Sequence, residues 1–303
     1  MNIKPILSGD RVCKAMTGLS VGEVKNLEAD FSWNLKEAYA IRKPNRKRKI
    51  GGGFKGHLPD SLHKLVVSLM YLKIYPTFDV MGVLCQADRS RCCRWMQFFL
   101  PVLEKTLGRK LVLPIRQITS VEEFFRLYPE AKDVFVDGTD RRVQKPVSQK
   151  RRTKLYYGKR KTTTRKNIIV ADENRRILVL SPTKSGRRHD KRLADKAEIT
   201  SNLPGSVTAW TDTGFQGMQH THPNIMMPKK GSKHKPLTEA ERENNRIISS
   251  FRMVSEHAIA GIKRLRCVSD VYRNRLPNLD DRFMLLSTGI WNYHLSFKTA
   301  TVI

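Results

Sequence analysis

Three acidic residues, far apart in the chain, have surroundings that suit chemistry: Asp137, Asp212 and Glu256. Asp137 closes the apolar run Val134-Phe-Val136 and leads into Gly138-Thr139. Asp212 closes Ser206-Val-Thr-Ala-Trp-Thr211 and leads into Thr213-Gly214-Phe215. Glu256 lies in Arg252-Met-Val-Ser-Glu256-His-Ala-Ile-Ala-Gly-Ile-Lys263. At about 100° per residue, Ser249, Arg252, Glu256 and Lys263 share an arc of about 60°. Ile247, Phe251, Val254, Ala258, Ile262 and Leu265 occupy a separate arc. One face of this helix should pack on a core while the other presents a carboxylate bracketed by cations, a setting that favours its charged form. Ligands gather at the carboxyl ends of strands in open α/β sheets. If the two strands are neighbours and the helix packs on their sheet, three carboxylates converge with no histidine or thiolate among them. That donor set suits a hard divalent cation, above all Mg²⁺, and phosphodiester displacement is the chemistry that paired ions of this kind support. Taken singly, each feature has an ordinary alternative: an amphipathic helix with i,i+4 salt links, or aspartates that cap turns.

The elements that would hold these residues follow from patterning. Leu155-Tyr-Tyr157, Asn167-Ile-Ile-Val170 and Arg176-Ile-Leu-Val-Leu-Ser181 read as strands, the last two joined into a hairpin by Asp172-Glu-Asn174. His189-Asp190 opens a helix rather than a metal site, and Ile225-Met-Met-Pro228 is a further short strand. Thr238-Glu-Ala-Glu241 resembles a capping box at the start of the helix that carries Glu256. The order predicts a mixed α/β layer with an antiparallel pair at one edge. The amino-terminal half reads differently. Residues 1–40 are helical in pattern, with Val21, Val24, Leu27, Phe31 and Leu35 apolar. The basic, glycine-rich run Arg42-Lys-Pro-Asn-Arg-Lys-Arg-Lys-Ile-Gly-Gly-Gly-Phe-Lys-Gly56 is either a passive linker or a segment whose backbone touches phosphates. Leu62, Leu65, Val66, Leu69, Met70 and Leu72 form one apolar helix face. Thr77 then caps a short helix through Leu84, and a turn at Gln86-Ala-Asp88 precedes an arginine-rich helix that Pro101 should kink. This is the pattern of a helix-turn-helix; a generic three-helix bundle with a basic surface is the alternative.

The 303 residues carry 57 Lys and Arg against 28 Asp and Glu, a formal charge of +29. Self-repulsion on that scale calls for a polyanionic partner. The basic residues are spread along the chain instead of forming one membrane-surface helix, which favours nucleic acid. Nineteen Lys or Arg face three acids between Arg141 and Arg192. Lys159-Arg160-Lys161 and Lys229-Lys230 are the first candidates to lie on a nucleic-acid backbone. Cys13, Cys85, Cys92, Cys93 and Cys267 are odd in number and lack metal-ligand spacing, which points to a reducing, cytoplasmic compartment. His220-x-His222 has no further ligand at useful spacing, Trp210 and Trp291 read as core, and neither a signal peptide nor a membrane span is expected.

Several motifs together resemble the bacterial insertion-sequence transposases of the DDE superfamily, in the branch with a helix-turn-helix before the endonuclease domain. They are Tyr75-Pro-Thr-Phe-Asp79, Val134-Phe-Val-Asp137-Gly-Thr139, Gly186-Arg-Arg-His-Asp190, Thr211-Asp212-Thr-Gly-Phe-Gln-Gly217, Pro228-Lys-Lys230, Asn245-Arg-Ile-Ile-Ser-Ser250, the Arg252-to-Lys263 helix and Tyr272-Arg-Asn-Arg275. Ser249 departs from the family pattern, which often has tyrosine at that position. The resemblance implies a ribonuclease-H-like mixed sheet flanked by helices, preceded by an all-α helix-turn-helix region. It implies an amino-terminal segment over residues 1–58, DNA reading by residues 59–110 through Arg89, Arg91 and Arg94, and an endonuclease domain over residues 128–298. Asp137, Asp212 and Glu256 would be the metal ligands, with Mg²⁺ replaceable by Mn²⁺, and Arg252 and Lys263 would assist near phosphates. The implied activity is cleavage at the ends of a mobile element and joining of the freed 3′-hydroxyls to target DNA, by a homo-oligomer, expected to be a dimer, at the bacterial nucleoid. A nuclease of the same fold that does not integrate, or a non-catalytic DNA-binding regulator, are the alternatives.

Overall fold

The computed structural model describes residues 1–45, 56–232 and 234–299, so most of the basic glycine-rich run lies outside the described residues. The chain divides into two compact units, one of Met1–Leu113 with Lys263–Asp270 and Arg282–Ile303, the other of Pro114–Ile262 with Val271–Asp281.

The first unit is helical. Helix α1 (Asp10–Thr17) ends at Gly18, whose φ of 86° is the left-handed conformation glycine adopts without strain. Helix α2 (Val21–Arg42) starts in a complete capping box between Ser20 and Glu23 and buries Val24, Leu27, Phe31 and Leu35. Helix α3 (Ser61–Ile74) is buried on all sides from Leu65 to Leu72, more than the single apolar face read from sequence. Helix α4 (Phe78–Cys85) takes its cap from Thr77, whose side chain accepts the Val80 N–H at 3.3 Å. Three residues later α5 (Arg89–Arg109) begins, and it runs through Pro101 without interruption. Phe99, Leu100, Val102 and Leu103 on either side of the proline are buried, so packing holds the turn that lacks one hydrogen bond.

The second unit is the mixed α/β layer. It contains α6 (Val121–Leu127), β1 (Asp133–Arg142), α7 (Gln149–Leu155), β2 (Tyr156–Tyr157), β3 (Thr162–Asp172), β4 (Ile177–Leu180), β5 (Lys184–Ser185), α8 (Asp190–Lys196), β6 (Thr208–Thr211), β7 (Ile225–Met226) and α9 (Glu239–Lys263). Sheet order is β2-β3-β1-β6-β7, with β4 and β5 also paired to β3. β3 runs antiparallel to β1 and β4, while β1, β6 and β7 are parallel. Two corrections concern extent. Leu155 ends a helix instead of opening a strand. β1 continues beyond Asp137 to Arg142, because β3 pairs with it as far as Arg142↔Thr164.

Alternation along β1 separates the two faces. Val134 and Val136 join Ile168, Val170, Leu193 and Ala194 in one core, which places α8 on that side. Phe135 points the other way, where its ring stacks on Trp210 at 6.3 Å, and Trp210 stacks in turn on Phe251 of α9 at 4.4 Å. The chain then returns to the first unit through α10 (Arg266–Ser269) and α11 (Leu279–Thr299), whose first residues still belong to the second. Within the first unit, the α11 residue Tyr293 donates to the Glu23 carbonyl at 3.0 Å, and His294 Nδ1 lies 2.6 Å from Glu23 Oε1. None of the helices among the described residues is long and apolar enough to cross a membrane.

Candidate active site

The parallel pairing of β1 and β6 builds the site. Its last matched pair is Val136↔Thr211, so Asp137 and Asp212 occupy the next equivalent positions, where β6 ends. Both lie on the α9 side by alternation, Asp137 two residues after Phe135 and Asp212 two after Trp210. Each carboxylate is oriented by a glycine that follows it. Asp137 Oδ1 accepts the Gly138 N–H at 2.6 Å, and Asp212 Oδ1 accepts the Gly214 N–H at 2.5 Å as it caps the 3₁₀ turn Thr213–Phe215. Such Asx-type bonds hold a short side chain in one direction.

Helix α9 supplies the third side. Thr238 and Glu241 make the reciprocal capping bonds read from sequence, at 3.2 and 3.0 Å. Phe251, Ser255, Ala258 and Ile262 share one face, at i, i+4, i+7 and i+11; Phe251 and Ser255 touch the sheet through Trp210 and Asp137, and Ser255, Ala258 and Ile262 are buried. Its first half is shallower than expected, since Ile247 and Phe251 are each 46% exposed. Ser255, which sequence reasoning did not single out, is buried and donates to Asp137 Oδ2 at 3.3 Å while also reaching the Arg252 carbonyl at 2.8 Å. No periodicity signals that role: a serine within an apolar stripe reads as filler.

Electrostatics make Asp137 the unusual group. Burial pushes its carboxyl up from 3.8 to about 6, and the neighbouring Asp212 charge adds to this. The Gly138 N–H, the Arg252 guanidinium and the Ser255 hydroxyl oppose it. A carboxylate that is held ionised only at a cost, beside a second carboxylate, is a good receptor for a divalent cation. Asp137 and Asp212 fit that group by donor type and by mutual approach. Glu256 does not yet join them. It is exposed, about 100° around α9 from Ser255. Among the described residues no group of three or more His, Cys, Asp or Glu is arranged to hold a metal. Arg252, one turn before Glu256 on the same flank, does act on Asp137. Lys263 is the last residue of α9, two turns beyond Glu256.

Beyond the carboxylates the second unit is strongly basic. A cleft of about 1180 Å³ is lined by Lys145, Arg151, Lys154, Arg188, Arg273 and Arg275, with Tyr272 among them. Its acid, Asp280, is paired with Arg165 at 3.4 Å. A smaller neighbouring hollow shares Lys154, Ser185 and Arg188 and adds Arg187, His189 and Arg192. Lys159, Arg160 and Lys161 are exposed on the turn before β3, with Arg160 bonded to Asp140 at 3.2 Å. Lys230 is exposed, and Lys229 is tied to Glu241 at 3.1 Å and to Asn245. In the first unit Arg89, Arg91 and Arg94 are exposed on the first turns of α5, with Arg89 3.7 Å from Asp79. His222 is buried against the Val207 carbonyl at 2.8 Å, which leaves it serving the fold. All five cysteines are free, and four of them are buried.

A family model described as DDE superfamily endonuclease matches residues 136–291, a span that opens one residue before Asp137. The probable transposase for insertion sequence element IS702 of Microchaete diplosiphon is 27% identical over 254 residues, covering 84% of this chain and 86% of that protein. No solved structure matches.

Proposed function

From the premise that the chain belongs to the DDE superfamily of endonucleases, whose model spans just over half of it, we propose that it is the transposase of an insertion sequence. It cuts DNA at the terminal repeats of its own element and joins the freed 3′-hydroxyls to a target. The observation that carries this reading is the placement of Asp137 and Asp212 in register at the end of the β1–β6 parallel pair. Both reactions are in-line phosphoryl transfers at one centre. Bound divalent cations, Mg²⁺ or Mn²⁺, would activate the attacking oxygen and stabilise the leaving one.

The chain's own groups divide the work. Asp137 and Asp212 would hold the cation, with the Gly138 and Gly214 N–H groups fixing their direction. Glu256, exposed on α9 and apart from the two aspartates here, would complete the set only once α9 shifts or turns to bring it to them. Arg252 and Lys263 neutralise phosphate charge close to the reacting bond. The basic cleft and the Lys159-Arg160-Lys161 turn hold the DNA backbone without regard to sequence. Arg89, Arg91 and Arg94, at the amino-terminal end of α5 after the α4 turn, are placed as a recognition helix places its base-reading residues. Assembly as a homodimer on paired element ends, in the bacterial cytoplasm at the nucleoid, completes the reading.

The test is cleavage of labelled element-end DNA in Mg²⁺, followed by strand transfer from a pre-cut end. Asp137→Asn and Asp212→Asn should each abolish both steps and leave DNA binding within about threefold, since neither aspartate is placed to contact the backbone as a cation would. Wild-type cleavage without strand transfer would make the protein a nuclease only. Sequence-specific binding with no cleavage by the wild type would make it a regulator.

A further inference from the structure

Two aspartates can share a cation only if the strand ends that carry them keep a fixed separation, and the structure contains a device at that point. Asp190, the first residue of α8, sends its carboxylate between the two glycines that orient the site. A Cβ placed on Gly138 would lie 2.7 Å from Asp190 Oδ1, and one on Gly214 would lie 3.3 Å from Asp190 Oδ2. One carboxylate thus rests against both Cα atoms. These are the same glycines whose N–H groups bind Asp137 Oδ1 and Asp212 Oδ1. Gly138 faces α8 by the alternation that turns Asp137 toward α9, so the contact comes from the opposite side of the sheet.

An acid at the first turn of a helix ordinarily sits in water and favours the helix dipole. Here its counter-charge is buried. Lys166 of β3 is 4% exposed, and its ammonium lies 2.8 Å from Asp190 Oδ1. The ammonium is held by the Arg188 carbonyl at 3.4 Å and over the Tyr157 ring at 4.6 Å. Lys166 shares its face with Ile168 and Val170, the α8 side of β3. An ion pair with its cation buried and its acid 24% exposed contributes little net stability over an apolar pair, so geometry is the better account of it. A Cβ at Gly138 would displace the carboxylate, and one at Gly214 would crowd it by a few tenths of an ångström and press harder on Asp212 Oδ1.

We propose that the Lys166–Asp190 pair is a positioning device for the metal centre: it wedges the β1 and β6 turns and sets the spacing of Asp137 and Asp212. The proposal rests on the reading of those two aspartates as metal ligands. Asp190 itself is a positioning residue, with its charge committed to Lys166.

The experiment uses the full-length protein and two readouts. Hydrogen exchange of the metal-free protein follows the peptides spanning Gly138 and Gly214, and does not depend on activity. Asp190→Ala should speed exchange at both by about tenfold or more, as local opening becomes easier, while the β4 peptide changes little. The double variant Lys166→Gln/Asp190→Asn keeps a neutral pair able to hydrogen-bond after a small shift and should restore most of the protection. In Mg²⁺-dependent cleavage, Asp190→Ala should raise the metal concentration for half-maximal rate by about 10- to 100-fold, as loss of support behind a ligand commonly does. DNA affinity should stay constant, and the double variant should recover most of the loss. Unchanged exchange at Gly138 and Gly214 in Asp190→Ala would overturn the proposal, as would a double variant that regains exchange protection but no metal response, the behaviour of a direct ligand. If Asp190→Ala does not fold, Asp190→Asn is read by the same two measurements. A wild type that shows the exchange pattern but no cleavage would leave the positioning role standing and remove the functional reading.

Discussion

At the scale of single residues, the site departs from ordinary surface carboxylates in one measurable way. Asp137 titrates near 6 because burial, with Asp212 beside it, disfavours its charge. The sign follows from linkage. A folded-state value above the unfolded 3.8 means that Asp137 favours the fold fully below about pH 4, and that this contribution is lost as pH rises through about 6. The metal-free Asp137→Asn variant should therefore be more stable than wild type at pH 8, by an amount on the order of 1–3 kcal/mol, and the difference should vanish near pH 4. Thermal melts across that range check it; a destabilised variant at pH 8 would contradict the burial argument. Activity should run the opposite way. On the proposed reading a cation would need the ionised carboxylate, so metal-dependent cleavage should fall as pH drops through about 6. Ser255→Ala removes a donor to Asp137 and should move that midpoint upward.

At the scale of elements, the role proposed for Glu256 depends on how α9 is attached to the sheet. Phe251 on Trp210 is the visible attachment of the helix's middle, and Ser255 on Asp137 is the next point along that face. Phe251→Ala should lower cleavage by more than it lowers stability. The ring is half exposed, so the stability cost is about 1 kcal/mol, whereas misplacing a catalytic group by an ångström costs far more rate than that. Equal proportional losses in melting and in rate would argue that the stack only supports the fold.

The sequence made these elements legible to different degrees. The hairpin at Asp172-Glu-Asn174, the Thr77 and Thr238 caps and the strand that ends at Asp212 were readable because turn and cap chemistry is local. The extension of β1 past Asp137 was not, since it depends on β3 pairing from a distance. The roles of Ser255, Lys166 and Asp190 were hidden for the same reason: each is defined by a partner more than twenty residues away. Periodicity placed Glu256 on a polar arc but gave no angle for that arc relative to the sheet.

At the scale of the whole molecule, charge is the dominant property. With +29 on 303 residues, DNA affinity should fall steeply with salt. Replacing Lys159, Arg160 and Lys161 with Gln should weaken binding to element ends and to unrelated duplexes alike. The salt slope should decrease by about 0.9 for each phosphate that is no longer neutralised. Anisotropy titrations at several salt concentrations would measure this, and a loss confined to one sequence would contradict a backbone role. The reverse pattern is expected for Arg89, Arg91 and Arg94. Their replacement should erase the preference for element ends while unrelated DNA binds nearly as before. The helical unit would then choose the DNA, and the mixed-sheet unit would hold and cut it.

Whether Asp137 and Asp212 together bind the catalytic cation is decided most sharply by anomalous diffraction from crystals grown with Mn²⁺. A shared site requires a peak about 2.0–2.5 Å from carboxylate oxygens of both residues, absent in Asp137→Asn. A peak located elsewhere in the second unit, or one that persists unchanged in Asp137→Asn, would refute the shared site.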